Sequence, residues 1–265
     1  MGFNVVETDG GAMTGSLAAA AVGPATGRSR VDDVTDRLIT AVAVGEYLPG
    51  SRLPPERDLA ASLGAGRMTV RAAIARLVER GLLETQRGRA GGSFVVEQWT
   101  PASAEAVRRT LDERWEDLRD RCEAIARLHG ALCRAAAERR SEHDAGVMAA
   151  RLEAYRAAAS GLAKQQADSR LHLAIIDAAH NRTLARVLRD EEAALSIGAP
   201  AHLWGPPEGM PAMEARALRE HEALVAAIVG RSADDAEAIA RAHVGIDLEL
   251  LEAARLRADG LGAGA

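Results

Sequence analysis

The 265-residue chain is poor in aromatic side chains, with Phe, Trp and Tyr making up only 3% of it. A core without large rings must be aliphatic. Val, Leu, Ile and Ala dominate an apolar share of 48%, which favours helices joined along aliphatic seams. Cysteine is equally scarce. Cys122 and Cys133 are the two, and on one helix they would stand roughly 16 Å apart, too far to bond. That excludes a disulfide scaffold and, with no secretory leader, points to a reducing cytoplasm. No apolar run reaches the roughly 20 residues of a membrane span, so no membrane partner is expected. No repeat in the range of about 20–50 residues recurs, which excludes a solenoid. A basic surplus is also missing, since the net charge is −5. The balance is uneven: residues 1–27 carry −2, residues 28–94 carry +3 and residues 95–265 carry −6. A basic front joined to an acidic body points to an anionic partner for the front alone.

The length suits two domains or one large one. Residues 1–29, rich in Gly, Ala, Ser and Thr, read as a disordered tail. Helical spacing then runs from Val31 to Val44, and "LPGSRLPP" (48–55) reads as turn chemistry. A short helix over about 55–63 ends at Gly64, and a second runs from Gly66 or Arg67 to about Arg80. "LLETQRGRAGGSFVVE" reads as strand, glycine-rich turn, strand. From about residue 101 strand signals vanish. A linker helix is expected within 98–112, then helices at about 114–140, 143–161, 164–179 and 182–196. The Pro/Gly-rich loop "GAPAHLWGPPEGMP" follows, then helices at 212–229 and 232–256, with Ser232 and Asn181 as N-caps. The expectation is a mainly α chain: a winged helix-turn-helix at 30–97, and an all-α antiparallel helical bundle at 113–257.

Within "GAGRMTVR" (64–71), Arg67 and Arg71 stand four apart on the first turns of a helix. Two like charges repel there, and that end of a helix prefers acids. An anionic partner against that face resolves the conflict. Three helices and a two-stranded wing form the outline of a module that places its second helix-turn-helix helix in the DNA major groove. Arg67 and Arg71 then meet guanine edges with bidentate forks. Thr69 suits phosphate, Arg57 lies near enough to join, and Arg87 and Arg89 flank a tip whose Gly91 and Gly92 let backbone approach a minor groove. The stretch "GEYLPGSRLPPERDLAASLGAGRMTVRAAIARLVERGLLETQRGRAGGSFV" (45–95) resembles the DNA-binding domain of the GntR family of bacterial transcriptional regulators. The resemblance places the family's base-contacting arginines on Arg57, Arg67 and Arg71, and its wing glycines on Gly91 and Gly92. Pro55 stands where the family has a serine, which removes an N-cap hydroxyl and a phosphate contact, and Gly66 replaces another serine at the start of the recognition helix.

In the body, Asp168 and His172 share a helix face at i and i+4. His221 and His243 lie at similar distances either side of a hairpin near Arg231. One carboxylate and three imidazoles at one level suit a divalent ion such as Zn, Ni, Mn or Fe. His129, His143, His180 and His202 read as ordinary surface or core residues. The body resembles the FCD ligand-binding domain of the FadR subfamily, through "RDRCE" (119–123), "DSRLH" (168–172), "NRTL" (181–184), "EH" (220–221) and His243. That resemblance implies the metal ligands Asp168, His172, His221 and His243. It also implies Arg119 as the residue that reaches an effector carboxylate, and a homodimer on a pseudo-palindromic double-stranded operator. The function so implied is an effector-responsive regulator, a repressor, sensing a small organic acid. Two alternatives stay open: a metal-free pocket for a larger ligand such as an acyl thioester, and a metal-dependent enzyme tethered to DNA. No separate general base or nucleophile is evident, so catalysis is not expected.

Overall fold

Short polar motifs fix where the helices begin. The Ser29 hydroxyl accepts from the Asp32 N–H at 3.2 Å while the Asp32 carboxylate accepts from the Ser29 N–H at 2.9 Å, a capping box that opens α1 (Arg30–Ala43). Ser29, grouped with the tail in the sequence, thus belongs to the first helix. A computed structural model describes residues 29–88, 91–195, 197 and 209–262. The expected tail over 1–28, most of the Pro/Gly-rich loop and Arg89 lie outside the described residues.

The front module contains α1, α2 (Glu56–Ser62), α3 (Arg67–Glu79), β1 (Leu83–Gln86) and β2 (Gly92–Val95). Val34, Leu38, Leu59, Val70, Leu77 and Leu82 fill its core, each at most 1% exposed. Gly64 ends the α2 turn at φ +58°, a conformation that costs a residue with Cβ. The hairpin pairs Leu83 with Val95 and Gln86 with Gly92. The stretch read as pure turn does more than turn. Leu53 N–H donates to the Ser93 carbonyl and Gly50 N–H to that of Val95, both at 2.9 Å, so it adds an edge to β2.

The body is built around α4 (Pro101–Arg139), which Thr100 caps and Pro101 starts. The expected linker helix and long helix are one continuous helix of 39 residues, because no glycine or proline interrupts the pattern between Pro101 and Gly130. Around it lie α5 (Glu142–Ala157), α6 (Leu162–Ala178), α7 (Arg182–Leu195), α8 (Met210–Val229), α9 (Ala233–His243) and α10 (Ile246–Gly262). α9 and α10 were expected as one helix. The chain turns at Val244–Gly245, where the Gly245 N–H donates to the Ala242 carbonyl at 3.2 Å, and glycine is the weakest ordinary helix former. Asn181 caps the start of α7 as expected, accepting from the Leu184 N–H at 3.1 Å. Ser232 occupies the N-cap position of α9, but its hydroxyl makes no capping bond. Among the described residues no helix is long and apolar enough to cross a membrane.

Polar contacts tie the two parts together. The Arg37 guanidinium of α1 donates to the Ala193 carbonyl of α7 at 2.5 Å. Both Glu46 oxygens accept from the Ile197 N–H, at 3.0 and 3.1 Å. Arg114 reaches Thr40 Oγ1 at 3.2 Å, and Arg257 reaches the Ala43 carbonyl at 2.7 Å.

Candidate DNA interface and candidate metal centre

α2 and α3 present one cationic face. The inner side of α3 is set by Val70, Ala73, Ile74 and Leu77, all buried. That leaves Arg67, Met68 and Arg71 outside, with Met68 71% exposed. Neither Pro55 nor Gly66 supplies a side-chain capping hydrogen bond, and in α2 the Asp58 N–H is met instead by the Pro55 carbonyl at 2.8 Å. Arg57 is exposed and leans on its neighbour Asp58 at 3.0 Å. Thr69 is half-buried, and Arg87 is exposed at the hairpin tip. Gly91 and Gly92 have a steric role. A Cβ on Gly91 would meet the Gln86 carbonyl at 2.4 Å, and one on Gly92 the Arg52 side chain at 2.5 Å.

The sequence did not anticipate the partner of Arg71. Its Nε donates to both Glu56 oxygens, at 3.0 and 3.1 Å, and its Nη2 to Oε2 at 2.7 Å. The Arg71 hydrogen bond holds the Glu56 carboxyl below the usual carboxylate range, against the opposing effect of burial, and the charges of Arg71 and Arg67 add to the pull. Glu56 therefore pairs with Arg71 directly, and its negative charge beside that arginine eases the repulsion between the two stacked arginines.

In the body, Asp168 and His172 come from α6, His221 from α8 and His243 from the last turn of α9. All four are buried, none more than 3% exposed. The Nε2 atoms form a triangle: 3.1 Å from His172 to His221, 3.1 Å from His221 to His243 and 3.3 Å from His243 to His172. Asp168 Oδ1 lies 3.3 Å from His221 Nε2 and 3.9 Å from His172 Nε2. These spacings match those between donors that share one ion at bond lengths of about 2.0–2.2 Å.

The second layer fixes the rings. His243 Nδ1 lies 2.7 Å from Glu220 Oε2. A carboxylate accepts only, so that nitrogen carries the proton and Nε2 turns a lone pair toward the other rings. Burial works to raise the Glu220 pKa, but hydrogen bonds from His243 and Arg216 outweigh it and hold the carboxyl down. Arg216 Nε reaches Glu220 at 2.7 Å, and its Nη1 reaches Glu249 at 2.7 Å. The Tyr155 ring meets His221 edge to face with centroids 4.8 Å apart, and His129 meets His172 in the same way at 5.7 Å. His129 lies in the core as one of the two expected settings, and its Nε2 pairs with the buried Glu192 at 2.8 Å. Three nitrogens converging at such distances repel one another unless a cation or shared protons lie among them, so the donor set fits a divalent ion.

The structure does not bring Arg119 to this cluster. Its side chain is 58% exposed and its nearest acid is Asp120, at 3.9 Å. Leu118, Cys122, Ile125 and His129 recur at helical spacing and take the inward face of α4, and Arg119 projects about 100° round from Leu118. Glu123, next in the same motif, pairs outside with Arg127 at 2.5 Å. Glu220 and Glu192 were missed as site residues. Glu220 had a signal, its place directly before His221, whereas Glu192 had none.

Comparison with known proteins agrees with both halves. Residues 30–95 match the family described as bacterial regulatory proteins, gntR family. Residues 120–245 match the FCD domain. The chain is 32% identical over 216 residues to the HTH-type transcriptional regulator RmpR of Mycobacterium gastri, covering 81% of this chain and 77% of that protein. It is 30% identical over 217 residues to the L-lactate dehydrogenase operon regulatory protein of Escherichia coli, covering 80% and 83%. It is 29% identical over 213 residues to the galactonate operon transcriptional repressor of Escherichia coli, covering 77% and 90%.

Proposed function

The chain belongs to the GntR family of bacterial regulatory proteins and carries an FCD domain, so it is a DNA-binding transcriptional regulator and not an enzyme; from that premise we propose that it is a metal-dependent repressor that senses a small hydroxy acid. One observation carries the sensing half: three buried Nε2 atoms within 3.1–3.3 Å of one another, beside a carboxylate. Asp168, His172, His221 and His243 would hold the ion. When bound, it would supply Lewis-acid positions suited to carboxylate and hydroxyl oxygens. The completeness of the set favours this over a metal-free pocket for an acyl thioester. The names of two relatives, which refer to lactate dehydrogenase and galactonate operons, support a hydroxy acid as the class of effector.

On the DNA side, a homodimer sets two front modules on a pseudo-palindrome. Arg57, Arg67 and Arg71 face the major groove, Thr69 a phosphate, and the wing with Arg87, Gly91 and Gly92 the minor groove. The effector must bind two arrangements of these modules unequally, or nothing switches. α7 offers a route between the halves. Its Glu192 touches the histidine layer through His129, and its next residue, Ala193, accepts the Arg37 guanidinium of α1.

Melting curves with a panel of small hydroxycarboxylates, with and without a chelator, test this reading. A hydroxy acid that raises the melting temperature only when metal is present supports it. Stabilisation that survives chelation overturns the metal-dependent reading. His221→Ala should abolish metal retention, read by elemental mass spectrometry, and leave operator binding largely intact. Full metal occupancy in that variant would refute the assignment.

A further inference from the structure

A carboxylate on a DNA-facing surface needs a reason, because phosphates repel it. Glu56 lies at the start of α2 and faces α3, with its side chain one-third exposed, at 33%. It could have turned to water. Instead both its oxygens grip Arg71, and the grip is specific in direction. Nε donates to each oxygen and Nη2 to one of them. The carboxylate thus occupies the Nε side of the guanidinium. Of the five N–H groups it engages Nε–H and one on Nη2. Both hydrogens of Nη1 and the second of Nη2 are left. One hydrogen from each Nη makes the end-on fork, which is the pair that fits N7 and O6 of guanine. Arg71 remains 62% exposed with that end uncommitted to Glu56.

We propose that Glu56 is a positioning residue for base recognition: gripping Arg71 from the side, it aims the end-on guanidinium fork at a guanine and keeps it off the phosphates. This rests on the reading that Arg71 contacts a base. An arginine side chain has several rotors, and a free one swings readily to the nearest phosphate, which carries no sequence information. Holding it beforehand removes part of the ordering cost of binding. The negative charge also penalises any pose in which Arg71 leaves and Glu56 faces phosphate alone. Glu56 therefore gives up electrostatic affinity and gains discrimination.

The test is selection of preferred sites from a random-sequence duplex DNA library by the full chain, its Arg71→Ala variant, and Glu56→Ala and Glu56→Gln. Arg71→Ala identifies the base pair that Arg71 reads. Glu56→Ala should lower guanine preference at that same pair roughly three- to tenfold, part of the roughly 5- to 150-fold that a bidentate contact provides. Preferences at other pairs should hold. Binding to non-specific duplex should tighten, and the salt dependence should steepen by about 0.9 in log–log slope for one gained phosphate contact. Glu56→Gln, whose amide oxygen still accepts from Nε–H, should fall between. Unchanged preference at the Arg71 pair in Glu56→Ala overturns the positioning role. So does an equal loss at every pair together with earlier melting, which would mark Glu56 as structural only. If Arg71→Ala alters no pair, the reading of Arg71 itself fails and this proposal falls with it.

Discussion

Removing the Glu220 carboxylate should weaken the metal site without deleting a ligand atom. The carboxylate sits 2.7 Å from His243 Nδ1 and fixes the proton there. Without it the imidazole is free to place its proton on Nε2, which cannot then donate a lone pair to an ion. Loss of such an outer partner typically weakens metal binding about 10- to 100-fold, or about 1.4–2.7 kcal/mol. The structure places this case toward the lower end. The His243 ring also stacks on His172, with planes 6° apart and centroids at 5.3 Å, so its orientation partly survives. Arg216 keeps its second partner Glu249 at 2.7 Å, so the α8–α10 contact survives too. About tenfold is therefore the expected loss for Glu220→Ala. Glu220→Gln, whose amide oxygen still accepts from Nδ1–H, should lose less. The assay is titration of zinc between the protein and a chromogenic chelator of known affinity. Melting curves at saturating zinc give an independent reading, because each tenfold in affinity removes about 1.4 kcal/mol of metal-linked stability at fixed free zinc. If Glu220→Ala binds zinc as tightly as the parent while His243→Ala loses it, the carboxylate does not set the state of the ring, and the reasoning fails.

Three further outcomes are expected. Arg67→Ala should cost about 1–3 kcal/mol on a selected operator and relax preference at one base pair; fluorescence anisotropy measures it, and an unchanged preference would count against the proposed docking. Gly91→Ala should disable the wing, because its Cβ would lie 2.4 Å from a backbone oxygen that no rotamer change can move; operator affinity should fall while zinc binding by the body holds, and full operator affinity would show the wing to be dispensable. Burial pushes both thiols up to about 12, at Cys133 by desolvation alone and at Cys122 by desolvation and then Asp247. Neither should react with a thiol reagent at neutral pH until the chain unfolds, and prompt native-state labelling would contradict the packing of α4.

The parts of this molecule visible in its sequence are those that local rules dictate. The start of α7 was legible because Asn181 supplied a cap, whereas the Ser29 cap of α1 was hidden in a stretch that reads as tail. The i, i+4 spacing paired Asp168 with His172 and the hairpin paired His221 with His243, and the family resemblance joined the two pairs. The hidden parts depend on rotation and on distant partners. Arg119 and Leu118 are neighbours in the chain, yet only one of them can face inward, and the apolar series through Cys122, Ile125 and His129 decides which. That series was readable, and following it around the helix would have sent Arg119 outward. The partners of Arg71 and His129 were not readable. Glu56 and Glu192 lie 15 and 63 residues away from them, and no local pattern marks one acid among 38 as the one that will be gripped. The break at Gly245 falls between these cases. A single glycine inside an apolar pattern is a weak stop signal, and it takes effect here because the chain must turn directly after His243 to bring α10 back onto α4. The glycine that hid a helix boundary thus also places the third imidazole at the end of α9, against His221 and beside Glu220.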